Sequence, residues 1–153
     1  MIAAALVAVL LVAGGLVFFL TRNTSSGPTI IGPKTVTVDG RVAWTDTRIV
    51  LKQGDDVAIT ASGTVFTNKN FRDVRASPDG VPNQPGLRQF DVVTGGDHGG
   101  LIGRISDAGA PFIVGSADRF QADSAGQLFL GINDTGVDDN DGAFVAKVTV
   151  TRK

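Results

Sequence analysis

The chain has 153 residues and a mass of 15.8 kDa, a length that predicts one domain. With 14 Lys and Arg against 15 acidic residues its net charge is -1, so it lacks the basic footprint that nucleic-acid binding requires. No cysteine and a single histidine exclude disulfides, thiolate metal sites and metalloproteases with paired histidines.

The acidic and flexible residues indicate the fold class. All 15 acidic residues are Asp, and 20 residues are Gly. Asp and Gly favour turns and loops, whereas Glu, which is missing, favours helix interiors. The composition therefore predicts a β-rich and loop-rich domain.

The first 20 residues, MIAAALVAVLLVAGGLVFFL, carry no charge. As a helix rising ~1.5 Å per residue they would cover roughly 30 Å, the thickness of a bilayer core. A buried core helix fits less well because the run has no polar face, and a cleavable signal peptide fits less well because the run has no basic start. We predict a transmembrane anchor helix over residues 1–21, with the membrane as a partner through residues 1–20.

The next segment, residues 22–33, is dominated by Ser, Thr, Asn, Gly and Pro. Such a composition is typical of a flexible linker. We expect it to hold the remaining domain, residues 34–153, outside the membrane. The expected location is extracytoplasmic, at the cell surface or on the periplasmic side.

Short apolar or alternating runs fill the rest of the chain, separated by Gly, Asp, Asn and Pro. They are TVTVD (35–39), RIVL (48–51), DVAITAS (56–62), LIGRI (101–105), PFIVG (111–115), QLFLGI (127–132) and AFVAKVTVT (143–151). Gly63 interrupts the third run, and TVFT is expected to continue it after a kink. Since no long helical pattern intervenes, the sequence predicts an all-β domain, an antiparallel β-sandwich or jelly roll.

Residues 68–100 form a long polar segment rich in Gly and Pro, which is typical of a functional loop. Its GGDHGG stretch (95–100) lacks the Lys-Ser/Thr of a phosphate-binding loop and predicts a tight turn. His98 is predicted to be a lone surface histidine, because no motif ties a Ser or Cys nucleophile to it. No motif of the chain indicates an enzyme.

The strongest local signal is the acidic run NDTGVDDNDG (133–142). Four of the eight residues from Asp134 to Asp141 are carboxylates, and no Lys or Arg lies between Arg119 and Lys147. Carboxylates this close are either solvated in a turn or neutralised by a hard cation such as calcium, and both alternatives stay open on composition. The EF-hand spacing does not fit, because Val would occupy its first and twelfth positions.

Several stretches together resemble a known family: WTDT (44–47), KQGDDVAITASG (52–63), GLIGRI (100–105), PFIVG (111–115) and GQLFLGINDTGVDDNDGAF (126–144). This part of the chain, residues 42–151, is similar to the calcium-dependent, galactose-binding bacterial lectins (PA-IL-like) and their galactose-binding-like relatives. The most distinctive element is the run before the last predicted strand.

The resemblance implies a calcium site. In these lectins an Asp, two consecutive amide side chains and two backbone carbonyls hold the ion, and two sugar hydroxyls complete its coordination. Carried over, the Asp is Asp134 and the consecutive pair is Asp139 and Asn140. The two carbonyls fall near Val137 and Thr67. Asp139 departs from the family, since a carboxylate replaces an amide.

The resemblance also implies a sugar site, with Asp134 and Asp139 accepting hydrogen bonds from the sugar. The family's HPDQG stretch has only partial counterparts in SPDG (77–80) and NQPG (83–86), and both lack its histidine. From these stretches Asp79 or Gln84 is expected to reach the sugar, with residues 68–100 as the wall of the site.

The resulting prediction is a calcium-dependent carbohydrate-binding, lectin-like module on a bacterial cell surface, with a galactose-type glycan as partner. One alternative is a structural or adhesion module in which calcium stiffens a loop and no sugar binds. Another is a pilin-like filament subunit that packs through its N-terminal hydrophobic helix. Self-association into an oligomer or filament stays open.

Overall fold

Extended strands make up most of the described chain. The computed structural model describes residues 7–12, 15–20 and 27–153. Its strands are β1 (Val7–Val12), β2 (Gly15–Leu20), β3 (Thr29–Asp39), β4 (Trp44–Leu51), β5 (Asp56–Phe66), β6 (Arg75–Ala76), β7 (Leu101–Ile105), β8 (Phe112–Ile113), β9 (Ala117–Gln121), β10 (Gly126–Ile132) and β11 (Asp141–Arg152). Two short 3-10 segments, Pro85–Phe90 and Val137–Asp139, are the helical turns of the described residues.

Two antiparallel sheets form the body of the domain. One has the strand order β4-β10-β7-β8, and the other has the order β3-β11-β5-β6 with β9 also paired to β5. The long strand β11 lies between β3 and β5 and pairs with both. This two-sheet arrangement confirms the predicted all-β antiparallel sandwich.

The core lies between the sheets because alternate residues of each strand point inward. Its largest fully buried side chains are Val38, Leu51, Ile59, Leu101, Leu128, Leu130, Ile132 and Phe144. Each such burial contributes about 1.5–3 kcal/mol. The loops that follow β5 and β10 are thereby held on a rigid frame.

The predicted strands lie within observed ones, except that PFIVG contributes only Phe112–Ile113. Gly63 does not end its strand, because β5 continues through it to Phe66. Its φ is +110°, and a Cβ there would lie 2.5 Å from the carbonyl oxygen of Ala143. Glycine at this position therefore lets the backbone of β11 approach that of β5.

The N-terminal apolar segment differs from its prediction. Residues 7–12 and 15–20 form the antiparallel pair β1–β2, where the sequence predicts one helix over residues 1–21. Val, which favours strands, occurs in both runs and Phe in the second, and Gly14 lies between the two runs in sequence. No helix of the described residues is long and apolar enough to cross a bilayer. The remainder of the predicted anchor, and the predicted linker up to residue 26, lie outside the described residues.

Candidate functional site

A cleft of about 420 Å³ opens where the loops after β5 and β10 meet. We refer to it as the acidic cleft. Its lining residues are Thr67, Asn68, Phe71, Val74, Leu87, Phe90, His98, Asp134, Gly136 and Asp139. The segment 68–100 thus supplies one wall, as the sequence predicts, and the acidic run after β10 supplies the other.

Asp134 is positioned at the end of β10 and is buried in the cleft wall, with 5% of its surface exposed. Its backbone N–H donates to the carbonyl of Ile132 at 2.7 Å. Its Oδ1 accepts a hydrogen bond from the backbone N–H of Gly136 at 2.8 Å, which closes a tight turn. The carboxylate is therefore held in one orientation before any ligand binds.

Asp139 joins the two loops of the cleft. Its Oδ2 accepts a hydrogen bond from Nδ2 of Asn68 at 2.8 Å, and its carbonyl accepts one from the backbone N–H of Lys69 at 2.6 Å. It ends the 3-10 turn Val137–Asp139, whose first carbonyl, that of Val137, accepts from the N–H of Asn140 at 3.1 Å. The loop after β5 and the acidic run are thus bonded to each other.

Asn140 carries an unpaired oxygen. The residue is completely buried, and its Nδ2 donates to the carbonyl of Gly40 at 3.0 Å. Its Oδ1 has no hydrogen-bond partner among the described residues. A buried acceptor without a partner costs about 1–3 kcal/mol, so such atoms usually serve a ligand, an ion or a water. An oxygen of this kind fits a calcium ligand.

Thr67 is fixed against the turn that carries His98. It follows β5, has 9% of its surface exposed and lines the cleft. Gly99 lies against it, with φ at +73°, and a Cβ on Gly99 would lie 2.5 Å from Cγ2 of Thr67. Only glycine fits this contact, which brings the loop after β5 against the GGDHGG turn.

His98 corrects the prediction of a surface histidine. It is 4% exposed, and its Nδ1 lies 2.9 Å from Oδ1 of Asp91, whose side chain is 1% exposed. Its Nε2 faces Oδ2 of Asp134 at 3.8 Å. The turn is buried because the carbonyl of His98 accepts from the N–H of Val81 at 2.9 Å. One sequence signal was present, since only Gly99 and Gly100 separate the histidine from the buried strand β7.

Asp79 and Gln84 do not line the acidic cleft, although the sequence predicts them as its sugar contacts. Oδ1 of Asp79 accepts a hydrogen bond from the backbone N–H of Ser116 at 2.7 Å, which ties it to the loop between β8 and β9. Gln84 is exposed and lies just before the 3-10 segment Pro85–Phe90. The wall is instead apolar, with Phe71 67% and Phe90 46% exposed.

The carboxylates of the cleft are too few to hold a hard cation alone, so a cation would also need backbone and amide oxygens as ligands. Within the described residues no group of three or more His or acidic side chains converges to hold a metal ion. The cleft holds the carboxylates of Asp134 and Asp139, whereas Asn140, with its unpaired oxygen, and Val137 belong to the same run but do not line the cleft. Mixed oxygen sets of this type are what calcium accepts in flexible loops.

Comparison with known proteins gives one informative result. No protein-family model matches the chain, and no curated protein matches it. Among solved structures it is similar to "EclA N-terminal domain; PllA-like lectin", at a TM-score of 0.60 and 26% sequence identity. The match covers 76% of this chain and 94% of that chain. The β-sandwich described above therefore resembles a lectin domain over nearly the whole of that domain.

Proposed function

We propose that the domain is a calcium-dependent carbohydrate-binding module. The single observation that carries the proposal is the buried, unpaired Oδ1 of Asn140, directly after Asp139 and in a domain whose fold resembles a lectin. The carboxylates of Asp134 and Asp139, the Oδ1 of Asn140 and the carbonyls of Thr67 and Val137 would hold the ion. When bound, calcium would supply open coordination positions for two vicinal hydroxyls.

The residues of the cleft have separate roles in this proposal. The carboxylates of Asp134 and Asp139 accept hydrogen bonds from hydroxyls of the sugar and orient it. Phe71 and Phe90 offer an apolar surface to its C–H groups. Because Asp134 is already fixed by Gly136, little ordering entropy is lost on binding. The chemistry is recognition rather than catalysis, and the partner is a galactose-type glycan.

A second candidate function is a calcium-stabilised structural module that binds no sugar. The bonds from Asn68 and Lys69 to Asp139 favour it, since they already join the two loops of the cleft. In that case a bound ion would only strengthen the contact between these two loops.

We also propose that the N-terminal segment attaches the domain to a membrane and that the domain lies on the extracytoplasmic side. The pair β1–β2 has no further described strand on either outer edge. Hydrocarbon does not tolerate unpaired backbone groups, whereas a helix pairs them within itself. We therefore expect residues 1–21 to become helical on contact with a bilayer.

A glycan panel tests the main proposal. Wild-type protein should bind galactose-type glycans in millimolar calcium and lose them in chelator. Calcium should also raise the melting temperature, because a ligand at a hundredfold excess over its Kd stabilises by about 2.7 kcal/mol, or on the order of 10 °C for a domain of this size. Asp134→Ala should remove both effects.

Gln84→Ala is the matched control, because its side chain is exposed and away from the cleft, and it should behave as wild type. A calcium-dependent melting shift without glycan binding would support the structural module. Equal melting with and without calcium would contradict both functions.

A further inference from the structure

We propose that a second cavity, at the edge of the sandwich, binds a small quaternary ammonium cation of the choline type. The cavity has a volume of about 370 Å³, near the lower end of the ~300–1,000 Å³ that small-molecule sites have. We refer to it as the edge cavity, and its lining includes Ile105, Phe112, Asp118, Phe120 and Asp123. It shares no lining residue with the acidic cleft, so the inference does not depend on the calcium site.

The edge cavity lies where the two sheets end side by side. β8 is the last strand of the four-stranded sheet, and β9 pairs with β5 at the edge of the other sheet. The ring of Phe112 on β8 meets the ring of Phe120 on β9, with centroids 5.0 Å apart at an angle of 63°. Both rings are half-buried and line the cavity, so each sheet contributes aromatic surface to it.

Asp118 brings a carboxylate to the core-facing side of β9. It pairs in register with Ile59 of β5, and Phe120 pairs with Val57, and both of these partners belong to the core. Residues directly opposite each other in a sheet share a face, so Asp118 and Phe120 point between the sheets. Asp118 is half-buried there and forms no ion pair within the part of the chain that the structure describes.

The charged groups of the edge cavity are all negative. Asp123 supplies a second carboxylate, and none of the described lining residues is Lys, Arg or His. Oδ1 of Asp118 accepts from the N–H of Arg119 at 2.8 Å, and Oδ1 of Asp123 accepts from the hydroxyl of Ser124 at 2.9 Å. The second oxygen of each carboxylate remains for a ligand, and its charge attracts a cation and repels an anion.

The apolar part of the lining decides which cation fits. A primary ammonium group is strongly hydrated and needs acceptors for three hydrogens. A trimethylammonium group has no N–H, and aromatic surfaces bind such groups through the ring quadrupole. Ile105, Phe112 and Phe120 would contact its methyl groups, while Asp118 and Asp123 balance its charge. A phosphate attached to the ligand would meet the same carboxylates, so the ligand is a free cation rather than a phosphocholine head group.

The aromatic wall is fixed before a ligand arrives. A Cβ on Gly103 would lie 2.8 Å from Cζ of Phe112, so the ring rests against the backbone of β7 where only glycine leaves room. Ile105, on the same strand, is 7% exposed and belongs to the core. A wall held in this way loses little conformational freedom on binding.

A charge that points inward on an edge strand can also have a purely protective role, because it discourages pairing with another chain. The two roles differ in what they predict for ligands. Choline and an uncharged analogue, in which a tert-butyl group replaces the trimethylammonium group, have nearly the same shape and differ in charge. Binding of each to the whole chain is measured by calorimetry and by NMR of the ligand's methyl protons, in calcium and in chelator.

Wild-type protein should bind choline in both buffers, and the uncharged analogue and phosphocholine should each bind at least about tenfold more weakly. Asp118→Asn keeps the shape of the side chain and removes its charge, so it should weaken choline binding about tenfold and leave binding of the analogue unchanged. Phe120→Leu should weaken choline more than the analogue, because it keeps an apolar contact and removes the ring. Thermal melting confirms that each variant folds.

Asp73→Asn is the matched control, because it removes one negative charge from an exposed residue that does not line the edge cavity, and it should bind choline as wild type does. Absence of choline binding to wild type at millimolar concentrations would leave Asp118 only its protective role and overturn the inference. Equal affinities for choline and the analogue, or unchanged choline binding in Asp118→Asn, would also overturn it. Phosphocholine that binds as tightly as choline would overturn the assignment to a free cation.

Discussion

At the scale of single residues, Asn133 and Asn140 show two uses of a buried amide within the acidic run. Oδ1 of Asn133 accepts from the N–H of Val93 at 2.7 Å, and its Nδ2 donates to the carbonyls of Val93 and Asp97 at 3.2 Å each. Asn140 pairs only its Nδ2, with Gly40. Both the oxygen and the nitrogen of the Asn133 amide are hydrogen-bonded within the fold, whereas Oδ1 of Asn140 has no partner among the described residues.

Asn140→Ala should therefore weaken calcium binding by tenfold or more, about 1.4 kcal/mol, and hardly change melting in chelator. Leaving the buried carbonyl of Gly40 without its donor costs about 1–3 kcal/mol, and removing the unpaired, desolvated oxygen of Asn140 recovers a similar amount. Calcium titration and thermal melting in chelator measure the two effects.

Asn133→Ala is expected to lower stability in the absence of calcium as well, unlike Asn140→Ala. Because its amide is fully bonded to the loop around Val93 and Asp97, its loss should lower stability by about 2 kcal/mol with or without calcium. If Asn140→Ala melted as low in chelator as Asn133→Ala, the free oxygen of Asn140 would have a structural partner and the calcium assignment would fail.

At the scale of elements, the turn between β4 and β5 is bonded to the end of β11. Asp55, 2% exposed, accepts from Nε and Nη2 of Arg152 at 2.9 and 2.6 Å and from the N–H of Lys52 at 2.8 Å. The side-chain hydrogen bonds from Arg152 outweigh desolvation and lower the pKa of Asp55. The folded state thus favours the ionised carboxylate.

A carboxylate with a lowered pKa contributes stability above the pKa of its unfolded form, and the contribution is lost as pH falls through the folded pKa. Asp55→Asn should melt several degrees below wild type at pH 7, and the gap should begin to narrow below about pH 4 and close as pH falls through the lowered pKa of Asp55. Asp107→Asn is the control, since its pair with Arg104 is 86% exposed on the Asp107 side and contributes little. A gap that is constant down to pH 2 would contradict the prediction.

Strands with an apolar or alternating pattern could be predicted from sequence, and the mostly polar strands β6 and β9 could not. LIGRI coincides with β7 because all but one of its residues are buried. In contrast, β9 alternates exposed and partly buried positions, with Asp118 and Arg119 inside it, so its hydrophobic pattern is weak. It forms because the edge of β5 offers backbone partners, which is a tertiary effect.

At the scale of the whole molecule, the core found among residues 27–153, whose burial the structure describes, runs from Val36 to Val150. Deleting residues 1–27 should therefore leave a soluble, folded domain with a β-sheet circular dichroism spectrum and a melting temperature within a few degrees of the full chain. Only the full chain should float with lipid vesicles. A truncated protein that aggregates or lacks a sheet signal would show that the N-terminal segment belongs to the fold.

The two parts of the candidate site were predictable to different degrees. The acidic run around Asp134 and Asp139 is contiguous, so its clustering is visible in sequence. The segment that forms the wall was predicted, but its lining residues and the burial of His98 were not, because the path of a long loop depends on hydrogen bonds such as that from Val81 to His98. Local patterns carry no information about such contacts.

The origin of the cleft's two walls has a consequence for how this domain could diversify. Phe71, Leu87, Phe90 and His98 all belong to one continuous stretch between β5 and β7, whereas the acidic run lies between β10 and β11. Insertions or exchanges within residues 71–98 of the first stretch would alter the shape offered to a ligand and leave Thr67 and the acidic run, which are proposed to hold the ion, unchanged in sequence. The same scaffold could thus be re-targeted by grafting a single loop, with the second loop carried along unchanged.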